Sequence, residues 1–134
     1  MGLPPSATRH REIAFENDCA DTKTCNTGIA WVRRTLTDWD LLGQAQDAVL
    51  IAAELLSNAA KHGGGILSLA LDWHGHLLRV AVTDPSPDPP RLRAHRPDAT
   101  GGHGVFLVDV LAHQWGSESH GPGKTVWADV RLPY

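Results

Sequence analysis

The chain has 134 residues, of which 42% are hydrophobic and 20% charged, and its formal net charge at pH 7 is −3. This length allows one domain with its own hydrophobic core, and the acidic balance argues against a general nucleic-acid-binding protein, which needs a basic face. No apolar run approaches the ~20 residues that span a bilayer, and the first residues lack the apolar centre of a signal peptide. We therefore expect a cytoplasmic protein without direct nucleic-acid or membrane contact, in which Cys19 and Cys25 are reduced thiols.

The first third of the chain predicts a tail, a strand and a helix. Residues 1–8 contain Pro, Gly and Ser without periodicity, so we expect a flexible tail before a single domain over residues 9–134. Alternating apolar residues predict a strand from Arg9 to Phe15. A helix follows the polar turn region 17–22 and runs to about Trp39, because Asp21 or Thr22 can cap it and apolar residues then recur at spacings of three and four.

A second helix runs to about His62 and ends at three consecutive glycines. The pattern then predicts a hairpin with strands at 66–73 and 77–83, followed by a long segment without periodicity at 85–100. An apolar helix at 105–113 and two further strands, at 115–119 and 124–132, follow it. Strands grouped in hairpins with helices between them are typical of a two-layer α+β sandwich. We expect a largely antiparallel sheet with the helices on one face.

The second helix carries a polar stripe over residues 49–63. Glu54, Asn58 and His62 are four residues apart, so they lie within roughly 80° of one another along about 12 Å of helix. The residues on the opposite side are all apolar: Ala45, Ala48, Val49, Ala52, Leu56, Ala59 and Ala60. The stripe is either the wall of a cleft that meets a charged ligand or a solvated helix edge.

Two further signals have two interpretations each, and a third pattern excludes a known motif. The glycine run Gly101–Gly104 precedes a helix, where backbone N–H groups can bind a phosphate, but it could equally be a hinge. Asp84 ends a strand and could accept a hydrogen bond from the amino group of a base, or simply start a turn. Gly123–Thr125 is not a P-loop, because that motif needs glycine where this chain has Glu118 and a helix where it has a strand.

Together these signals resemble the GHKL family of ATPases. The order is E-x-x-x-N-x-x-x-H on a helix, a hairpin that ends in Asp84, a long segment, a glycine-rich helix start and G-x-G-K-T entering a strand. The chain looks most similar to small actinobacterial ATP-binding proteins related to the anti-sigma-factor serine/threonine kinases, and the resemblance covers about Arg9 to Leu132. It implies the Bergerat-type ATP-binding fold, in which a mixed, largely antiparallel sheet carries about three helices on one face.

The resemblance also implies roles for individual residues. Glu54 would be the catalytic base that accepts a proton from a serine or water, and Asn58 would coordinate Mg²⁺. His62 would lie near the phosphates of ATP. Asp84 would bind the adenine, with support from Thr125. The residues implied around the phosphates are Gly102, His103 and Gly104.

One departure from the family concerns the loop after Asp84. The family has D-x-G-x-G there, whereas this chain has Asp84-Pro85-Ser86-Pro87-Asp88. Ser86 and Asp88 therefore stand at the two glycine positions. Because a β-carbon takes up room beside the base, this loop brings adenine binding into question, whereas the phosphate side keeps its features.

Two functions follow as hypotheses. The first is a Mg·ATP-dependent serine/threonine kinase that phosphorylates a small antagonist protein and thereby controls a sigma factor. The alternative is a non-catalytic ATP-binding module that sequesters a sigma factor or another regulator. A metal-dependent hydrolase is a distant third hypothesis. Homodimer formation is implied only by the resemblance.

Overall fold

Five strands form one sheet in which every pairing is antiparallel. The computed structural model describes residues 8–19, 22–90 and 103–133, without the side chains of residues 17–19 and 103–106. In chain order the strands are β1 (Thr8–Cys19), β2 (Ile66–His74), β3 (Leu77–Asp84), β4 (Gln114–His120) and β5 (Gly123–Arg131). They lie side by side in the order β1-β2-β3-β5-β4. The sheet of the described residues is thus antiparallel throughout, where the resemblance implied some mixed pairing.

Three helices cover one face of this sheet: α1 (Thr22–Asp38), α2 (Gln46–His62) and α3 (His103–Leu111). The central helix is α2, which packs against α1, α3 and β3. The expected α+β two-layer sandwich is confirmed. Within the ranges that the structure describes, no helix combines the length and apolar character needed to cross a bilayer.

The apolar face of α2 is wider than the periodicity predicts. Ile51 and Leu55 are buried in addition to the predicted core positions, whereas Ala60 is only partly buried. The reason is that α2 has a helix on each side as well as the sheet below it, so more of its circumference is removed from water. This central position leaves only a narrow polar edge on α2.

The two faces of the sheet differ in chemistry. On β3 and β5 the side chains that face the helices are mostly aliphatic and buried: Leu78, Val80, Val82, Val126, Ala128 and Val130. The opposite face, called the open face below, carries mostly small and polar residues together with one large aromatic residue on β5. These residues share the face because the strands pair in register: Ser68, Ala70, Asp72, Arg79, Ala81, Thr83, Thr125, Trp127 and Asp129. This alternation follows from the two-residue period of strands.

Two predicted boundaries need correction. β1 continues beyond Phe15 to Cys19, because after an irregularity in the register Cys19 pairs with Ile66. The third helix covers His103–Leu111 instead of 105–113. It ends early because the backbone N–H of His113 donates to the carbonyl oxygen of Asp129 at 2.8 Å, which draws the chain into the sheet.

The glycines after α2 make the turn into β2. Gly63 has a right-handed φ of −97°, while Gly64 and Gly65 have φ values of 81° and 129°. Those two values lie where a β-carbon is strained, which explains the need for glycine. The turn brings the end of α2 next to the end of β3, and this proximity shapes the site described below.

Candidate functional site

A small cavity, partly open to solvent, lies between α2, α3 and the β4–β5 end of the sheet, and the space inside it and at its opening together amounts to about 230 Å³. Most of its wall is apolar, and its polar groups come from α2. The lining residues are Glu54, Leu55, Asn58, Pro90, Val108, Trp115 and Val126.

Glu54 and Asn58 supply the polar edge of this cavity. They lie one helical turn apart on α2, and both are half-buried. A carboxylate and an amide oxygen at this spacing are the hard oxygen donors that Mg²⁺ prefers, with water and phosphate completing its coordination. The structure therefore brings together two of the three residues of the predicted stripe at one cavity mouth.

The third residue of the stripe, His62, lies further along the same helix. It is the last residue of α2, it is exposed, and it does not line the cavity. Its ring is therefore available to solvent or to a ligand that extends beyond the cavity. Its role near the phosphates stays a prediction.

Trp115 forms an aromatic part of the wall that the sequence did not single out. Its indole Nε1–H donates to Oδ1 of Asp109 on α3 at 3.0 Å, which fixes the ring between β4 and α3. This contact joins two residues only six positions apart, but neither lies in a recognisable motif. The cavity thus combines a polar edge with a rigid apolar wall, an arrangement common in small-molecule sites.

Asp84 lies at the end of β3 and is 1% exposed. Its Oδ1 accepts a hydrogen bond from Nζ of Lys124 at 3.0 Å and another from the backbone N–H of Ser86 at 2.9 Å. Lys124 is itself only 4% exposed. A buried ion pair thus occupies the position at which the resemblance implies adenine recognition.

Two glycines pack against this ion pair. A β-carbon on Gly63 would lie 2.6 Å from Cγ and Oδ2 of Asp84, and one on Gly123 would lie 2.4 Å from the carbonyl oxygen of Asp84. Neither glycine has a left-handed φ, so close approach is what requires glycine at both positions. The end of α2 therefore packs against the Asp84 carboxylate, and the start of β5 packs against its backbone carbonyl.

Two hydrogen bonds from backbone N–H groups to the side chains of Asp84 and Ser86 shape the loop after Asp84, in which Ser86 and Asp88 stand where the resemblance implies glycine. The N–H of Ser86 donates to Asp84, and the N–H of Asp88 donates to Oγ of Ser86 at 3.2 Å. These are local side-chain-to-backbone turns of the kind that Asp and Ser favour. They bend the chain without glycine, which gives a physical account of the altered loop.

Thr125 does not lie beside the carboxylate of Asp84. Its side chain is on the open face of the sheet, where its Oγ1 is 2.7 Å from Oγ1 of Thr83. The strand pairing instead places Lys124 opposite Asp84. Lys124 was not among the site residues predicted from the sequence. It shares the alternate positions along β5 with Val126 and Ala128, which are buried, so the sequence pattern alone already places it on their face of the sheet.

The glycine-rich segment is described only in part. His103 and Gly104 are the first two residues of α3, and Gly102 lies outside the described residues, as does most of the predicted long segment. The described residues contain no group of three or more His, Cys, Asp or Glu side chains that could hold a metal ion.

The residues present fit one end of Mg·ATP and not the other. The Glu54–Asn58 edge has the oxygen donors for a hydrated Mg²⁺ that bridges phosphates. At the Asp84 end the carboxylate is already bonded and enclosed, so it offers no accessible oxygen to a base. The Glu54–Asn58 edge thus has the chemistry for Mg²⁺ and phosphate, whereas the bonded Asp84 carboxylate does not have the chemistry for a base, and the individual roles of these residues stay predictions.

Comparison with known proteins gives a likeness in fold. No protein-family model matches the chain, and no curated protein sequence matches it. Among solved structures, the chain is similar to the RsbU and RsbW domains of Rv1364c from Mycobacterium tuberculosis, with a TM-score of 0.64 and 19% sequence identity. The match covers 92% of this chain but 32% of the other, so this chain spans about a third of that protein. At this identity the likeness establishes the fold, which this chain shares with part of Rv1364c.

Proposed function

We propose that this protein is a Mg·ATP-binding regulatory protein that acts as an anti-sigma-factor serine/threonine kinase and phosphorylates a small antagonist protein. The main support is the half-buried Glu54–Asn58 pair at the mouth of a cavity with a rigid apolar wall. The shared fold with a chain that contains an RsbW domain adds support of a general kind. The sigma factor and the antagonist are the proposed partners.

Each residue of the pair has a separate task in this proposal. Bound Mg·ATP supplies the phosphoryl group that is transferred. Asn58 holds Mg²⁺ through its amide oxygen, and Glu54 accepts the proton of the attacking serine or threonine hydroxyl. Leu55, Val108 and Trp115 form an apolar wall beside the Glu54 carboxylate.

The test is phosphoryl transfer from γ-labelled Mg·ATP to an antagonist protein captured with this chain. Glu54→Gln removes the base but keeps the size of the side chain, so we expect transfer to fall by about 10² or more, with nucleotide binding unchanged. The matched control is Asp47→Asn, an exposed carboxylate in the first turn of the same helix. Transfer at the wild-type rate by Glu54→Gln would show that Glu54 is not the base.

A second candidate is a non-catalytic ATP-binding module that sequesters a sigma factor or another regulator. The observation in its favour is the buried Asp84–Lys124 pair, which alters the base end of the site. Calorimetry with Mg·ATP, followed by a transfer assay on the same sample, separates the two candidates. Binding without transfer supports the module, and binding with Glu54-dependent transfer supports the kinase.

A further inference from the structure

The Asp84–Lys124 ion pair is complete without a ligand. Oδ1 of Asp84 has two donors, the Lys124 ammonium at 3.0 Å and the Ser86 N–H at 2.9 Å. The side chains of Asp84 and Lys124 are 2% and 6% exposed. No buried side-chain nitrogen or oxygen in the described ranges lacks a hydrogen-bond partner, so nothing in this cluster requires a base to satisfy it.

The surroundings of Asp84 leave little space for a ligand. Gly63 packs its bare Cα against the Cγ–Oδ2 side of the carboxylate, and Gly123 packs against its backbone carbonyl oxygen. Lys124 reaches Oδ1 from the strand paired with β3. Because the side chain of Asp84 is 2% exposed, a base can reach Oδ1 only if the Lys124 side chain moves away.

We propose that Lys124 determines base selectivity in this protein by occupying Asp84, so that a nucleotide is held through its phosphates with little discrimination between adenine and guanine. This inference rests on the proposed function for the phosphate end of the site. Adenine presents an amino donor where guanine presents a carbonyl acceptor. A free carboxylate distinguishes the two, whereas a carboxylate bonded to an ammonium does not.

The same geometry predicts the effect of removing the ammonium. Lys124→Ala leaves a buried carboxylate without its cationic partner and opens the space that the lysine stem filled. A base amino group can then donate to Asp84, and a hydrogen bond to a charged group is worth more than about tenfold in affinity. The variant should therefore acquire a preference for ATP that the natural chain lacks.

The test measures dissociation constants of Mg·ATP, Mg·GTP and Mg·tripolyphosphate by calorimetry on the full chain. For the natural chain we expect the dissociation constants of Mg·ATP and Mg·GTP to agree within about threefold. This difference is smaller than the one that a hydrogen bond to a charged group would produce. Lys124→Ala should lower the dissociation constant of Mg·ATP alone, by more than about tenfold. The matched control is Lys23→Ala, which removes an exposed lysine on α1 and should leave the ratio unchanged.

The outcomes separate this inference from the proposed function. The inference is overturned if the natural chain binds ATP more than about tenfold more tightly than GTP. This measurement does not depend on the folding of any variant. If the natural chain prefers ATP in this way and also binds tripolyphosphate, the inference fails but the proposed phosphate site stands. If neither ATP nor tripolyphosphate binds to the natural chain or to Lys124→Ala, the proposed function fails. If Lys124→Ala does not fold, Lys124→Thr replaces it, and a ratio unchanged from the natural chain in that variant also overturns the inference.

Discussion

Arg79 on β3 and Asp129 on β5 form a two-point ion pair across the open face of the sheet. Nε of Arg79 lies 2.7 Å from Oδ1 of Asp129, and Nη2 lies 3.0 Å from Oδ2. The guanidinium also lies over the ring of Trp127, 3.9 Å from its centroid. The hydrogen bonding that Arg79 donates to Asp129 is the largest of the causes that raise the pKa of Arg79 above its ordinary value. Asp129 itself is only 5% exposed, so Arg79 is the cation that meets this buried carboxylate.

Replacement of this arginine should destabilise the fold. Arg79→Met leaves the buried carboxylate of Asp129 without its cation, and we expect a loss of about 1–3 kcal/mol in the free energy of unfolding. Arg79→Lys should lose less, because it keeps the charge but not the two-point geometry. Urea unfolding measures both. The control, Arg34→Met on the exposed side of α1, should change stability by less than about 0.5 kcal/mol.

The close approach of Gly63 to Asp84 makes a second prediction. Gly63→Ala places a β-carbon 2.6 Å from the carboxylate and 2.9 Å from the carbonyl oxygen of Ala59, so we expect a loss of about 1–3 kcal/mol from overpacking. A β-carbon on Gly43 would meet nothing within 4 Å beyond its chain neighbours, and Gly43 has no left-handed φ. Gly43→Ala is therefore the control and should be neutral or stabilising by up to about 1 kcal/mol. Equal stability of the two variants in urea would contradict the enclosure of Asp84.

His10 predicts a pH dependence of stability. Its Nδ1 lies 2.6 Å from Oδ1 of Asp72, and its Nε2 lies 3.5 Å from Oε1 of Glu12. The hydrogen bond with Asp72 is the main reason that the pKa of His10 is raised above 6.5. A raised pKa means that the folded state holds the proton more tightly than the unfolded state. This stabilisation is complete below the unfolded pKa and disappears as the pH rises through the folded pKa.

The measurement is the melting temperature of the natural chain and of His10→Gln across the pH range. The natural chain should be the more stable at about pH 5.5, and the difference should shrink towards about pH 8.5. His74→Gln, an exposed histidine on the neighbouring strand, should show a weaker dependence. A difference that grows with pH would have the opposite sign to the one that the ion pair requires.

Asn58 predicts a metal dependence of ligand binding. A ligand at ~100 times its dissociation constant stabilises a fold by roughly 2.7 kcal/mol. If Asn58 is a Mg²⁺ ligand, thermal stabilisation by ATP should exceed that by ATP with EDTA in the natural chain, and the excess should vanish in Asn58→Ala. The matched control is Asn26→Ala, an exposed asparagine on α1, which should keep the full metal-dependent excess. An Asn58→Ala protein with the same excess would rule out Asn58 as the ligand.

Much of the architecture follows from local patterns in the sequence. The periodicities of three to four and of two residues predict α1, α2, the β2–β3 hairpin and the last strand, because side-chain direction within one element depends only on that element's own geometry. The alignment of Glu54 and Asn58 on one edge of α2 also follows from the geometry of a single helix. Element ends such as that of α3 are less well predicted, since a hydrogen bond to the distant Asp129 decides where the helix stops.

The base end of the site was decided by tertiary structure. Asp84 and Lys124 are 40 positions apart, and they meet because β3 and β5 pair in one particular register. A shift of that register by one residue would place Lys124 on the opposite face. The sequence by itself determined the polar edge on α2, which needs only helix geometry. Only the tertiary structure decided that a lysine bonds Asp84 and that Thr125 lies on the open face, because strand register depends on packing between distant segments.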